Sequence, residues 1–175
     1  LQGLTEFLPI SSSGHLVIGQ KLLDIDLPGN AFEVVLHIGT LLSVLTVFRV
    51  EIKTLLFNLN DPSNRYYISA IAFGTIPALL FGLLLKDYIS LIFDNIRFVS
   101  LSLVFTGIML IASKFIIKRN VKLTLSIAMV IGLAQAAAII PGISRSGATI
   151  CMGILLGLSA SEAARFSFLL SIPVI

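Results

Sequence analysis

The sequence predicts an all-α, polytopic integral membrane protein with inverted-topology repeats and re-entrant helix hairpins. Three observations carry that fold class. Hydrophobic residues fill 57% of the 175 positions and charged residues only 12%, against about 25% charge in a soluble domain. Apolar runs near bilayer length recur between short polar punctuation marks. Two polar, glycine-bearing breaks resemble one another: QGLTEFLPISSSGH at 2–15 and PGISRSGAT at 141–149.

The elements follow in chain order. Around the first break, residues 16–19 are a very short apolar piece, and the preceding segment carries Gln2 and Glu6. Re-entrant hairpins are therefore expected there rather than spans. Spanning helices are expected at 31–48, 66–85, 98–117 and 123–140, with another starting near Ala160. LPGN at 27–30, NDPSN at 60–64 and KRN at 118–120 separate them. Pro77 and Pro173 lie inside apolar runs and read as kinks, which membrane helices tolerate. Tyr66, Tyr67 and Tyr88 sit near span ends, as an aromatic belt requires.

Loop charge sets the orientation. Arg49, Lys53 and Arg65 crowd one loop, and Lys118, Arg119 and Lys122 another. Two expected spans separate these loops, so both face the cytoplasm by the positive-inside rule. The intervening loop balances Lys86 and Arg97 against Asp87 and Asp94 and is assigned outside, with the 24–30 loop. The net charge of +3 is what orientation needs and is no argument for nucleic acid. Cys151 is the single cysteine, which excludes an intramolecular disulfide and a cysteine metal cluster. Without a basic N-terminal region, no cleavable signal is predicted. The sequence begins at Leu1 and stops within FSFLLSIPVI, and it is read as incomplete at both ends. The expected organisation is a single transmembrane domain over 1–175, with repeat 1 at about 1–97 and repeat 2, incomplete, at about 98–175.

Placing Gln2 on Gln135 brings Ser13 onto Ser146 and Gly14 onto Gly147, with the prolines offset by one residue. The first break leads into an outside loop, while the second is entered from a cytoplasmic one. That is the arrangement of an inverted repeat whose broken helices meet near the midplane. Arg145 at membrane depth requires an anionic partner or a wet cavity. Glycines with short hydroxyl side chains let the backbone approach a phosphate closely.

Each break carries chemistry. Gln2 and Glu6 are one helical turn apart, and carboxylate beside carboxamide suits a hard divalent cation. Ser12 and His15, three apart, are expected to meet on one turn, with His15 as acid, base or activator of a nucleophilic Ser12. Arg145 is expected to clamp phosphate oxygens. His37, in VVLHIGT, reads as a helix-contact hydrogen bonder, and Glu162 with Arg165 as a local ion pair.

These motifs resemble the bacterial undecaprenyl-diphosphatase family of the bacitracin-resistance type. The resemblance rests on the Glu/Gln-x-x-x-Glu block running into SSSGH and on PGxSRSxxT, and extends through FEVVLHIGTLLSVL and EAARFSFLLSIPVI. It implies a phosphatase that converts undecaprenyl pyrophosphate to undecaprenyl phosphate in cell-wall lipid recycling. It also implies an interdigitated inverted-repeat fold in the bacterial plasma membrane, with an active site open to the outer face. Glu6, Ser12, His15 and Arg145 match catalytic positions. Gln2, Ser11, Ser13, Ser144, Ser146 and Thr149 match substrate-binding ones. A divalent cation, Mg2+ or Ca2+, is implied at Glu6 and Gln2, and a polyprenyl pyrophosphate lipid as the partner. A homo-oligomer is left open. The alternative is a membrane transporter or lipid flippase, because broken helices at the midplane are also a transporter architecture.

Overall fold

The computed structural model describes residues 2–24, 31–85, 95–116 and 120–175. All regular structure there is helical. Among the described residues, two single helices are long and apolar enough to cross a membrane: α5 (Pro62–Leu84) and α6 (Ile96–Ser113). Asp61 caps α5 by accepting from the Ser63 N–H, and Pro62 takes the first position, where its missing N–H costs nothing. Asn95 caps α6 through the Phe98 N–H. Leu79, Leu80 and Leu83 on α5 and Leu101, Val104 and Ile108 on α6 stay exposed, as lipid-facing side chains do.

The remaining helices are shorter. The first break comprises α1 (Gln2–Thr5) and α2 (Ser12–Leu22). Helix α3 (Ala31–Val47) meets α4 (Arg49–Phe57) at a bend of 71° at Phe48, so the 31–48 span ends in a turned-over, charged helix. The second break joins α7 (Leu125–Ala137) to α8 (Arg145–Leu155), and α9 (Ala160–Ser171) closes the order.

Three expectations need correction. The 123–140 run is not a span: α7 has 13 residues, a rise of about 20 Å against a hydrocarbon core of about 30 Å. It turns back through 138–144 into the 11 residues of α8, making a re-entrant pair. Pro173 does not kink a helix, because α9 ends at Ser171, as chains commonly do just before a proline. Arg165 pairs with Glu51 of α4 instead of its neighbour Glu162, and its guanidinium stacks 5.0 Å from the Tyr67 ring centroid. Lys86, Asp87, Tyr88, Asp94, Lys118, Arg119 and residues 25–30, on which part of the orientation reading rests, lie outside the described residues.

Small residues decide how the helices pack. A Cβ added to Gly132 on α7 would lie 2.2 Å from the Gly74 carbonyl oxygen on α5, so the two backbones touch. Without a hydrophobic force between helices in lipid, such close approach is what holds them together. Ala70, Ala128, Ile131, Ala163, Phe166 and Leu170 form the core around this crossing. Phe168 of α9 ties the periphery together, with ring centroids 6.1 Å from Phe7 and 6.0 Å from Phe48.

Gly132→Ala is expected to lower thermal stability in detergent, at a cost of about 1–3 kcal/mol for overpacking. Gly107→Ala is the control, because nothing lies within 4 Å of its added Cβ. Thermal unfolding of both variants checks this: equal midpoints would mean that the α5–α7 contact is slack.

Candidate active site

The two breaks interlock reciprocally. A Cβ on Gly14 of the first break would lie 3.0 Å from the Gly142 Cα of the second. A Cβ on Gly147 of the second would lie 3.2 Å from the Pro9 carbonyl oxygen of the first. In the register that places Gln2 on Gln135, these two contacts are each other's counterparts. The local capping repeats too. Ser11 accepts from the Gly14 N–H at 3.4 Å, and Ser144 from the Gly147 N–H at 3.0 Å. Ser11 and Ser13 hydroxyls lie 3.4 Å apart, those of Ser144 and Ser146 3.3 Å. The breaks therefore meet through glycine, where only a missing side chain lets backbones touch.

Gly142, at φ +93°, occupies the left-handed region that glycine enters without strain. Thr106 of α6 fastens this turn, donating to the Gly142 carbonyl at 2.9 Å and accepting from the Ser144 N–H at 3.1 Å. The first break is strained instead: Ser11 sits at φ +64°, costly for a residue with a Cβ. His15 supports it. Its Nδ1 lies 2.7 Å from the Ser11 carbonyl oxygen, which only a protonated Nδ1 can approach as a donor.

This arrangement brings the charged residues together. Arg145 Nη2 donates to Glu6 Oε1 at 2.8 Å, and the other carboxylate oxygen, Oε2, accepts from the Ser12 hydroxyl. Glu6 is 8% exposed, so its charge depends on that guanidinium. Ser12 and Arg145 occupy the first helical positions of α2 and α8. Both helices thus direct unsatisfied N–H groups and positive dipole ends toward the ion pair. Arg145 Nη1 is buried with no protein partner. Beside these groups opens a cavity of about 390 Å³, lined by Glu6, Ser11, Ser12, Ser13, Ser144, Arg145 and Ser146 together with His37 and Gln135. A site of this size, with few convergent polar groups, suits a small anionic group.

Three predicted site residues lie elsewhere. His15 is outside the cavity lining and bonds to Ser11, so the expected Ser12–His15 hydrogen bond is replaced by Ser12 to Glu6. The reason is local geometry: α2 begins at Ser12, which turns the Ser12 hydroxyl toward Glu6 and His15 back along its own helix. Thr149 is fully buried, donating to the Arg145 carbonyl at 2.8 Å and sharing a 2.6 Å contact with Ser167, and so joins α8 to α9. Gln2 is buried and does not line the cavity.

Two lining residues escaped sequence reasoning. His37 looked like a helix-contact residue, because nothing in VVLHIGT shows which face the tertiary fold turns inward. Gln135 carried a signal, its match to Gln2, but no chemistry of its own. Both atoms of its carboxamide are buried and unpartnered, and the residue is 1% exposed. An unmet group of this kind costs about 1–3 kcal/mol.

The donor set also bears on a cation. Among the described residues, no three His, Cys, Asp or Glu side chains group to hold a metal. Glu6 retains lone pairs beyond its two contacts, and the Gln2 carboxamide is buried with both polar atoms unpartnered. The Glu6 oxygens fit a hard cation whose remaining ligands are phosphate and water, as Mg2+ prefers, whereas Gln2, off the cavity lining, is not placed to share it with a bound phosphate.

Residues 1–175 match the family described as bacitracin resistance protein BacA. The chain is 42% identical over 190 residues to an undecaprenyl-diphosphatase of Rubrobacter xylanophilus, covering 100% of this chain and 70% of that one. It is 44% identical over 184 residues to that of Saccharophagus degradans, covering 100% and 69%. With that of Halothermothrix orenii the figures are 42% over 178 residues, 100% and 68%. This polytopic helical chain, which matches over its whole length, belongs to the bacitracin resistance protein BacA family.

Proposed function

We propose that this chain is an undecaprenyl-diphosphate phosphatase, hydrolysing undecaprenyl pyrophosphate to undecaprenyl phosphate and phosphate for lipid-carrier recycling. One observation carries the reading. A serine hydroxyl, a carboxylate that accepts its hydrogen bond and an arginine with a spare N–H edge converge from both breaks on one cavity. The prenyl tail stays in the bilayer and the diphosphate enters the cavity. Arg145 Nη1 and the N-terminal N–H groups of α2 and α8 bind phosphoryl oxygens, with Ser144 and Ser146 beside them.

Ser12 Oγ then attacks the terminal phosphorus in line. The Oγ–P bond forms as the bond from phosphorus to the bridging oxygen breaks, and undecaprenyl phosphate leaves with the electron pair. The Ser12 proton passes to Glu6 Oε2, its existing hydrogen-bond partner. Water next displaces Ser12, which recovers its proton from Glu6, and the water's proton leaves on inorganic phosphate. His15 acts as a positioning residue through Ser11. A divalent cation, Mg2+ or Ca2+, would be held at Glu6, which lines the cavity where Gln2 does not, and would neutralise diphosphate charge.

The plasma membrane is the proposed location, with the cavity open to the outer face. The Asn60 turn between α4 and α5 then faces the cytoplasm, and Asn95 at the start of α6 faces outward.

Ser12→Ala and Glu6→Gln are each expected to reduce phosphate release from lipid diphosphate at least about 100-fold. His15→Ala should reduce it less, since its contact is to backbone. Acid-quenched wild-type protein should carry phosphoserine at Ser12, read by mass spectrometry; retained turnover in Ser12→Ala would remove covalent catalysis. Arg145→Ala should lower kcat by about 10²–10³. Lipid movement without phosphate release from wild-type protein would favour a transporter instead. For orientation, Asn60→Cys in a Cys151→Ser background should resist an impermeant thiol reagent on intact cells, whereas Asn95→Cys should react. The opposite pattern would invert the topology.

A further inference from the structure

Resting on the phosphatase reading, we propose that Gln135 is a substrate-binding residue, its carboxamide donating to a phosphoryl oxygen of the diphosphate. Gln135 lies in the last turn of α7, where the surrounding sequence, IGLAQAAAII, is otherwise small or apolar. A methionine or leucine would fill this position without burying polar atoms. Gln135 instead stands, buried, in the wall of a cavity that Glu6, three serines of the first break, Arg145 and two serines of the second also line.

Among the described residues, none uses its carboxamide. Neither Oε1 nor Nε2 has a hydrogen-bond partner, so it does not cap α7 or bridge to a neighbouring helix. The cavity holds one other side-chain donor in this condition, Arg145 Nη1. Two residues with unpartnered buried donors, one charged and one neutral, thus border a space that also receives two helix N-termini. A phosphoryl group with several equatorial oxygens satisfies both at once. The neutral carboxamide adds a donor without adding charge, and Oε1 remains to accept from a water in the cavity. The match of Gln135 to Gln2 acquires a physical sense. Each break is preceded by a glutamine, but only that of the second lines the cavity.

The test uses the purified protein in detergent with Gln135→Met, which keeps length and removes hydrogen bonding, and Gln135→Glu, which keeps shape and adds negative charge. Gln135→Met is expected to lower kcat/KM about 10- to 100-fold, with KM rising more than kcat falls. Its ligand-free melting temperature should match or exceed wild type, because an unmet buried amide has been removed. Gln135→Glu should bind inorganic pyrophosphate still more weakly, through charge repulsion. Inorganic pyrophosphate should raise the wild-type melting temperature, and neither variant should show that rise. A parallel arm with inorganic phosphate distinguishes recognition of the diphosphate from retention of product. A Gln135→Met protein with kcat/KM within twofold of wild type would overturn the proposal. So would a lowered ligand-free melting temperature with the pyrophosphate response intact, which marks a structural role. If wild-type protein releases no phosphate but pyrophosphate binding still depends on Gln135, the phosphatase reading fails while the binding role stands.

Discussion

A buried ion pair between Glu6 and Arg145 is the constraint on which the site depends. The two residues come from breaks at opposite ends of the chain, and each needs the other. Glu6 is almost inaccessible and the Arg145 side chain is only 20% exposed, and an isolated buried charge of either sign is costly. Pairing across the breaks neutralises both and fixes α2 and α8 with their N-termini toward one point. The pair leaves part of each group in reserve. Arg145 keeps an unpartnered Nη1, and Glu6 holds the Ser12 hydroxyl on its second oxygen.

Close backbone contact makes that pairing feasible. Gly14 against Gly142 and Gly147 against Pro9 bring the breaks so near that an added Cβ would crowd the facing backbone. A spanning helix, α6, then holds the second turn through Thr106, so lipid-facing structure and site geometry are mechanically linked. The first turn is held differently, by a strained Ser11 whose carbonyl accepts from His15. The two breaks share a plan and differ in which residue carries charge. Where the first break offers a hydroxyl at Ser12, the second offers the guanidinium of Arg145.

Much of this was legible from residue order. Composition and apolar runs announce a membrane protein, and α5 and α6 fall where the long runs do, within a few residues. The motif pair marked Glu6, Ser12 and Arg145, because charge and clustered hydroxyls at membrane depth have few uses other than a site. Run length misled at 123–140, since hydropathy reports whether a segment suits lipid but not where its helix stops. The turn before Pro141 ends α7 early, and α8 returns. Arg165 misled for a related reason: proximity in sequence favoured Glu162, whereas the fold brought Glu51 of α4 against α9.

By itself, the sequence determined the membrane class, the two breaks and the residue types that meet there. These follow from solubility and from the cost of polar groups in lipid, which act on each segment alone. Only the tertiary structure decided the partners: Ser12 with Glu6 instead of His15, Thr149 with Ser167 instead of the cavity, and Gln135 in the cavity wall while Gln2 stays off it. Hydrogen bonds are made at about 3 Å and in particular directions. Which groups reach that distance depends on helix rotation and on contacts between residues far apart in the chain, and neither is written in local order.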